Sequence, residues 1–377
     1  MKRIVYFVAW SVIFLFGCKN QEQKLSSDIR FKDVAVPVDV NYITSIGNFT
    51  NNFKYIIDSS STYIYSYSWK DKAVFIGDLN AIGTKFDLSF LNNEIEFSQG
   101  TDLIFKSRSE AILLCSDERK LVLINLANKK YEILSYDTLI AGNTFPLSYW
   151  NSSMLFSEKL YLPIAYSDIF IKNKESIYNY FSRKTGVAVS IQDGISAVEL
   201  FGNFPLSYQN GDFYNDFYSK LTELPNNGVA YSFSCDDSIY IYNKNQKEAC
   251  FFGSGSKKGF KPFSLTELRN GNYKRKYTIE EPRYLQLIYD PYTNLVYRVY
   301  KHKSNYLVEG KVVKSSDISW SLLVSDLNFS EIIEYEFVDG NYSPIGMVPT
   351  DAGLFILNYK QENEQEIRGS LFQIPSP

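Results

Sequence analysis

LQLIYDPYTNLVYRVY (285–300) holds two runs of apolar and aromatic residues on either side of Asp290-Pro291-Tyr292-Thr293-Asn294. Strands of five to eight residues rich in Val, Ile, Leu and Tyr, joined by a short turn carrying Asp, read as a β-hairpin. Four more passages have the same form: TYIYSYSWKDKAVFIGDL (62–79), AILLCSDERKLVLINL (111–126), GVAYSFSCDDSIYIYN (228–243) and SPIGMVPTDAGLFILN (343–358). The five turns centre near 70, 117, 236, 291 and 350, and the gap after 117 is about twice the others. A sixth, degenerate copy is therefore expected near 172–176, where KLYLPIAYSD (159–168) and SIYNYF (176–181) flank a polar linker. With it, the mean spacing is 56 residues.

A period of 50–60 residues built from β-hairpins marks a propeller, in which each repeat is one antiparallel blade. A single blade cannot bury both faces, so blades stack around an axis and the ring must close. The expected fold is all-β: a six-bladed β-propeller of antiparallel four-stranded blades. A β-sandwich or two smaller β domains are the alternatives. TKFDLSF (84–90), KKYEILSY (129–136), AVELFGNF (197–204), EACFFG (248–253), SEIIEYEFV (330–338) and IRGSLFQI (367–374) are expected as outer strands. Short runs before the hairpins, such as DLIFKS (102–107), are expected as inner ones. IRFKDVAVPVDV (29–40) is positioned to give a strand to the last blade and lock the ring.

The composition agrees. The 377 residues are 45% apolar and 16% aromatic, with 30 Tyr and 28 Phe against 3 Met, a mix suited to pleated, half-buried surfaces. The net charge is −3, without the basic excess that a phosphate backbone demands, so no nucleic-acid partner is expected.

At the other end of the chain, Lys2 and Arg3 precede an uncharged stretch from Ile4 to Phe16. Its thirteen residues span about 20 Å as a helix, short of a bilayer core of roughly 30 Å. It reads as a signal peptide, residues 1–17. Leu15-Phe16-Gly17-Cys18 resembles the lipobox of bacterial lipoproteins, with Phe16 a departure from the usual small or aliphatic residue. The resemblance implies cleavage after Gly17 and lipidation of Cys18, and so a membrane partner reached through the anchor. Residues 18–27 then form a flexible tether and 28–377 the propeller. Three cysteines remain. Cys235 and Cys250 fall on strands one and three of a three-strand run, too far apart for a disulfide, so thiols buried as small apolar groups are expected.

The lipobox, RYLQLIYDPYTNLVYRVY (283–300), WSLLVSDLNFSEIIEYEF (320–337) and GMVPTDAGLFILN (346–358) together resemble a family of Bacteroidetes-type lipoproteins with six-bladed, TolB-like β-propellers. The likeness spans nearly the whole mature chain. It implies the fold and a lipid-anchored place in the cell envelope, at the outer membrane. That family has no assigned activity, so no catalytic residue is carried over.

One histidine in the chain removes most catalytic schemes. His302 stands in a Lys-His-Lys run and reads as a solvated loop. There is no G-x-S-x-G elbow, C-x-x-C pair, H-E-x-x-H, phosphate-cradling loop or EF-hand pattern. No catalytic residue, metal site or cofactor is assigned. Carboxylate chemistry survives: Asp102, Asp290 and Asp351 lie near strand ends or turns, where aspartate also caps its own backbone. Asp290, Tyr297 and Arg298 form the sharpest cluster and are the candidate binding residues, although an arginine there also suits a blade-to-blade ion pair. Two basic runs, Lys257-Lys258 with Lys261 and Lys274-Arg275-Lys276, read as a solvated long loop or a contact for an anionic glycan or lipid headgroup.

The leading functional expectation is a non-enzymatic binding or scaffold module that engages a protein, peptide or glycan at one face of the ring. The alternative is a carboxylate-dependent, glycan-active hydrolase on the same propeller. A third reading makes it a surface partner of an uptake or secretion complex.

Overall fold

The computed structural model describes residues 29–30, 35–40, 53–58, 61–78, 84–98, 100–136, 144–146, 153–191, 194–195, 197–225, 228–242, 247–255, 259–267, 269–338, 340–359 and 367–377. The signal peptide and tether (1–27), including Cys18, lie outside the described residues.

Six antiparallel blades stand in a ring. Two strands, β1 (Ile29–Arg30) and β2 (Ala35–Val40), precede the first blade. Blade 1 is β3 (Phe53–Asp58), β4 (Ser61–Ser68), β5 (Ala73–Asp78) and β6 (Thr84–Asp87). Blade 2 is β7 (Thr101–Phe105), β8 (Glu110–Cys115), β9 (Lys120–Asn125) and β10 (Lys130–Ser135). In blade 3 the inner strand is split. Both β11 (Thr144–Pro146) and β12 (Met154–Phe156) pair with β13 (Lys159–Tyr166), followed by β14 (Gly186–Ser190) and β15 (Ala197–Phe201).

Blade 4 is β16 (Lys220–Leu224), β17 (Gly228–Ser232), β18 (Ser238–Tyr242) and β19 (Lys247–Phe251). Blade 5 begins with β20 (Arg283–Asp290) and β21 (Leu295–Lys301), inserts a small hairpin of β22 (Leu307–Val308) and β23 (Lys311–Val312), then continues with β24 (Trp320–Ser325) and β25 (Ile332–Phe337). Blade 6 is β26 (Tyr342–Thr350), β27 (Gly353–Asn358) and β28 (Ile367–Phe372). Its fourth strand is β2, paired from Ala35↔Phe372 to Val40↔Ile367. The ring thus closes with an N-terminal strand, as residues 29–40 suggested, while β1 adds in parallel to β25 of blade 5.

Period-two alternation explains why the middle strands are apolar throughout. On β21, Val296 and Tyr300 pack with Ala230, Ile239 and Phe252 of the blade 4 side, while Tyr297 and Val299 pack with Met347 and Ile356 of blade 6. Both faces of the strand are core, so burial is continuous from Leu295 to Lys301. Blade 2 repeats this: Leu113 and Val122 join the blade 1 cluster, and Ile112 and Leu121 the blade 3 cluster.

Because neighbouring strands run antiparallel, the second-to-third turns and the links between blades fall on one face, and the remaining turns on the other. The first face is built up over blades 3 to 5 by three short helices. They are α1 (Lys174–Phe181) between β13 and β14, α2 (Leu206–Gln209) in the link to blade 4, and α3 (Gly271–Glu280) in the link to blade 5. Tyr180, Phe181, Phe204, Tyr208, Phe213, Phe217 and Phe263 bind these segments into one aromatic cluster. Its rings meet mostly edge-on, as between Phe181 and Tyr208 at 5.4 Å. We call this the cap face and the opposite one the turn face.

Three details differ from the sequence reading. SIYNYF (176–181), expected as a strand, lies in α1. Asn173 accepts from the Ser176 N–H in a capping box, and Ile177, Tyr180 and Phe181 bury at i, i+3 and i+4. The strand partner of β13 is instead β14. In blades 5 and 6 the repeated hairpin is strands one and two, whereas in blades 1, 2 and 4 it is strands two and three. IRGSLFQI is accordingly a third strand, because β2 takes the outer place.

Cys235 and Cys250 are kept apart as expected, with Cys235 just past β17, Cys250 on β19 opposite Ile239 and β18 between them, but Cys250 is only partly buried where a buried thiol was expected. Burial raises the Cys235 thiol, and pushes that of Cys115 up to about 12.

Candidate functional site

Of the candidate binding residues, Asp290 and Tyr297 come together and Arg298 does not join them, and all three lie inside the wall of the ring. Asp290 is 0% exposed and ends β20. One oxygen accepts the Tyr292 N–H at 2.9 Å, and the other accepts from Thr293 Oγ1 at 2.7 Å and Tyr297 Oη at 2.9 Å. It caps the β20–β21 turn. Tyr297, 1% exposed, has its hydroxyl committed to that carboxylate. Arg298 is 0% exposed and reaches the other way, donating to the carbonyls of Phe252, Phe233 and Asp236 in blade 4 at 2.7, 3.2 and 2.6 Å. Its guanidinium stacks 3.5 Å over the Tyr284 ring. It is a blade-to-blade clasp, holding carbonyls where an ion pair was expected.

Of the other aspartates considered, Asp351 is exposed in the β26–β27 turn. Asp102 pairs at 2.5 Å with Lys54 of blade 1 and also caps the Leu103 N–H at 2.9 Å. His302 is half-buried: Nε2 lies 2.7 Å from Ser321 Oγ, the ring packs edge-on to Tyr300, and burial lowers its pKa.

The site that sequence reasoning missed is the central channel. Inner strands of all six blades surround a cavity of about 240 Å³. Most of its lining is aliphatic or aromatic, including Tyr55, Ile57, Tyr65, Ile104, Phe105 and Met347. Its polar groups are Lys54, Lys106, Lys220, Thr222, Glu223 and Gln286, with Ser153. Several of these hold neighbouring blades together. Lys54 bridges to Asp102, Thr222 Oγ1 accepts the Tyr289 N–H, and Gln286 Nε2 donates to the Ile345 carbonyl. Lys220 binds Asp216 at 3.2 Å, and Asp216 also receives Ser234 Oγ at 2.8 Å. Burial alone would raise the Asp216 pKa, but Lys220, Arg283 and Ser234 outweigh it and hold the group low.

Glu223 is different. It lies on β16 in a cavity lined by both apolar and polar side chains, and no described residue hydrogen-bonds or ion-pairs with its carboxylate. Burial raises its pKa, and its charge together with Asp290 adds to the burial that pushes the Tyr55 hydroxyl well above its ordinary value. An unpaired carboxylate in such a place costs stability, which is the mark of a group kept for contact with something else. Glu223 is the only carboxylate among the described residues lining the cavity, so the lining itself supplies no acid–base pair of the kind a glycosidase needs. Lys106 belongs to the β7–β8 turn, so the cavity extends toward the turn face. Among the described residues, no group of three or more His, Cys, Asp or Glu is placed to hold a metal ion.

No protein-family model matches the chain, and no curated protein sequence matches it. Solved structures do. A member of the duf4221 family from Bacteroides vulgatus superposes with a TM-score of 0.70 at 15% identity, covering 94% of this chain and 100% of that one. A protein from Bacteroides fragilis described as exported gives 0.48 at 10% identity over 92% and 97% of the two chains. Virginiamycin B lyase from Staphylococcus aureus gives 0.43 at 8% identity over 90% and 100%. The first of these shares the fold.

Proposed function

We propose that this chain is an exported, lipid-anchored binding module whose central channel takes a small polar group of a larger ligand from the turn face. The observation that carries the reading is Glu223, the one carboxylate among the described residues that line the cavity, without a hydrogen-bond or ion-pair partner among them. At about 240 Å³ the cavity lies just below the roughly 300–1,000 Å³ of pockets that enclose a whole small ligand. That size suits one sugar residue or one peptide terminus. The aromatic and aliphatic lining would pack against it, and Glu223 would accept its hydroxyl or amino hydrogens.

Thermal-shift titration of the mature protein with neutral oligosaccharides, amino-sugar oligosaccharides and short peptides tests this. A ligand at 100 times its Kd stabilises by about 2.7 kcal/mol, a readily measured rise in Tm. Glu223→Gln is expected to bind that ligand at least about tenfold more weakly, because a charge-assisted hydrogen bond is lost. Its unliganded Tm should equal or exceed that of the wild type, because a costly buried charge is gone. Release of a reducing end from any of these glycans, lost in Glu223→Gln, would instead make the protein a hydrolase.

Export and anchoring rest on the leader and on Cys18, since no helix among the described residues is long and apolar enough to cross a membrane. Cys18→Ser is expected to abolish incorporation of labelled fatty acid and to leave a membrane association that added salt removes. Fatty-acid label on the Cys18→Ser chain, or none on the wild type, would refute the anchor.

A further inference from the structure

The two faces of the ring differ in what they expose. Outside the outer strands, the large apolar side chains left in solvent among the described residues all sit on the cap face. They include Leu206 at 81% exposure, Phe170 at 68%, and Leu307, Val308 and Val312 of the β22–β23 hairpin. The cap-face segments 167–185, 202–219, 259–282 and 302–319 also carry ten exposed basic side chains against four exposed acidic ones, although the whole chain has a net charge of −3. Basic and apolar residues are densest on blade 5. Lys303, Lys311 and Lys314 flank the hairpin, and α3 adds Lys274, Arg275 and Lys276, all exposed.

These pieces are fixed to the ring. Lys301, 5% exposed, donates to the Ile279 and Glu281 carbonyls at the end of α3, both at 2.8 Å. The Ser304 N–H donates to Glu280 O at 3.2 Å. Hairpin and helix are therefore held as one unit. The anchored end of the chain arrives at the same blade. Ile29 and Arg30 pair with Tyr335 and Glu336, next to the end of β25 that leads into the cap-face link. From Cys18 to Ile29 the chain spans at most about 40 Å when extended, so the bilayer that holds the lipid is within reach of this face.

We propose that the cap face of blade 5 rests on an anionic lipid bilayer, with Leu307, Val308 and Val312 entering the headgroup region and the flanking basic residues paired with lipid phosphates. Three exposed apolar side chains on the hairpin strands with lysines around them match an anionic bilayer in both of its layers, the basic residues outnumbering the exposed Glu309 at the turn and Asp317 beyond it. The contact gives the anchored protein a defined orientation, with the turn face and the channel mouth beside Lys106 directed away from the membrane. The orientation builds on the anchored reading, but the contact itself needs no lipid on Cys18.

The mature Cys18→Ser chain, which cannot carry the lipid, is sedimented with vesicles of phosphatidylcholine alone and of phosphatidylcholine with one-third phosphatidylglycerol. Binding is expected to the anionic vesicles only and should weaken with added salt. Lys303→Glu/Lys311→Glu/Lys314→Glu should weaken it about a hundredfold, since each basic residue near such a surface contributes about fivefold. Leu307→Ser/Val308→Ser/Val312→Ser should weaken it separately, with the Tm of both variants unchanged because these side chains are exposed. No sedimentation with anionic vesicles, equal sedimentation with neutral ones, or variants that bind like the parent would each overturn the proposal. If such a failure came with normal lipidation of the native chain, the anchored reading would stand without it, and a protein partner would be the occupant of this face.

Discussion

Raising the pH from about 9 to about 11 is expected to unfold this protein cooperatively. Tyr55, Tyr65, Tyr67, Tyr180, Tyr208, Tyr284 and Tyr297 are each raised well above the ordinary tyrosine value, in every case chiefly by burial. In the unfolded chain a tyrosine ionises near pH 10. Above that pH the folded state therefore binds more protons than the unfolded one, and stability falls as pH rises. Each such tyrosine costs about 1.4 kcal/mol per pH unit. Seven together approach about 10 kcal/mol at about pH 11, comparable with the whole stability of a typical domain. Lys301 works the other way, its pKa lowered by burial to about 7, so that its contribution to stability rises with pH. It is one group against seven, and its window closes near pH 10.4, where lysine in the unfolded chain also deprotonates. Circular dichroism and tyrosinate absorbance followed together from about pH 8 to about 12 check this. Native circular dichroism held up to about pH 11.5, or ionisation of nearly all 30 tyrosines while it stays native, would refute it.

The ring was legible because the hairpins are. On β21, alternating residues serve two blade interfaces, so a run such as LVYRVY leaves little but a buried strand to fit it. The closing strand was legible too, because AVPVDV (35–40) has no partner nearby in sequence. Short helices in links were not. SIYNYF carries apolar residues that satisfy both a strand and one helical turn, and the deciding signal was the Asn173 cap three residues before Ser176. The channel was hidden for a different reason. KLTEL (220–224) reads as a weak, mixed segment, and nothing within it says that Glu223 will face a cavity shared with Lys54, Gln286 and Met347. That is a property of six strands distant in sequence meeting at an axis. Conversely, DPYTN drew attention to Asp290 because a turn cap and a catalytic carboxylate use the same residue type. Only the four hydrogen bonds it accepts from Tyr292, Thr293 and Tyr297 separate the two roles.

Arg298→Met is expected to destabilise the protein by about 3–5 kcal/mol, the usual consequence of removing one side of a buried charged interaction. The wild-type guanidinium satisfies the carbonyls of Phe233 and Asp236, at the end of β17, and of Phe252, just past β19. These are the places where blade 4 stops being sheet, so no ladder partner is at hand for them. Burial lowers the Arg298 pKa, with Tyr284, Asp236 and Asp237 opposing it, and the three carbonyls and the Tyr284 face offset part of that desolvation, Nε having no hydrogen-bond partner among the described residues. Methionine fills much of the volume but leaves the acceptors buried and unpaired. Arg298→Lys should recover only part of the loss, because an ammonium matches neither the spread of the three carbonyls nor the stack on Tyr284. The clasp joins blade 5 to blade 4 away from the channel, so ligand affinity at Glu223 should be unchanged in any variant that remains folded. Urea unfolding of the wild type, Arg298→Met and Arg298→Lys measures the series. A loss below about 1 kcal/mol for methionine would mean that the carbonyls find water or other donors, and that Arg298 is free to serve something other than the ring.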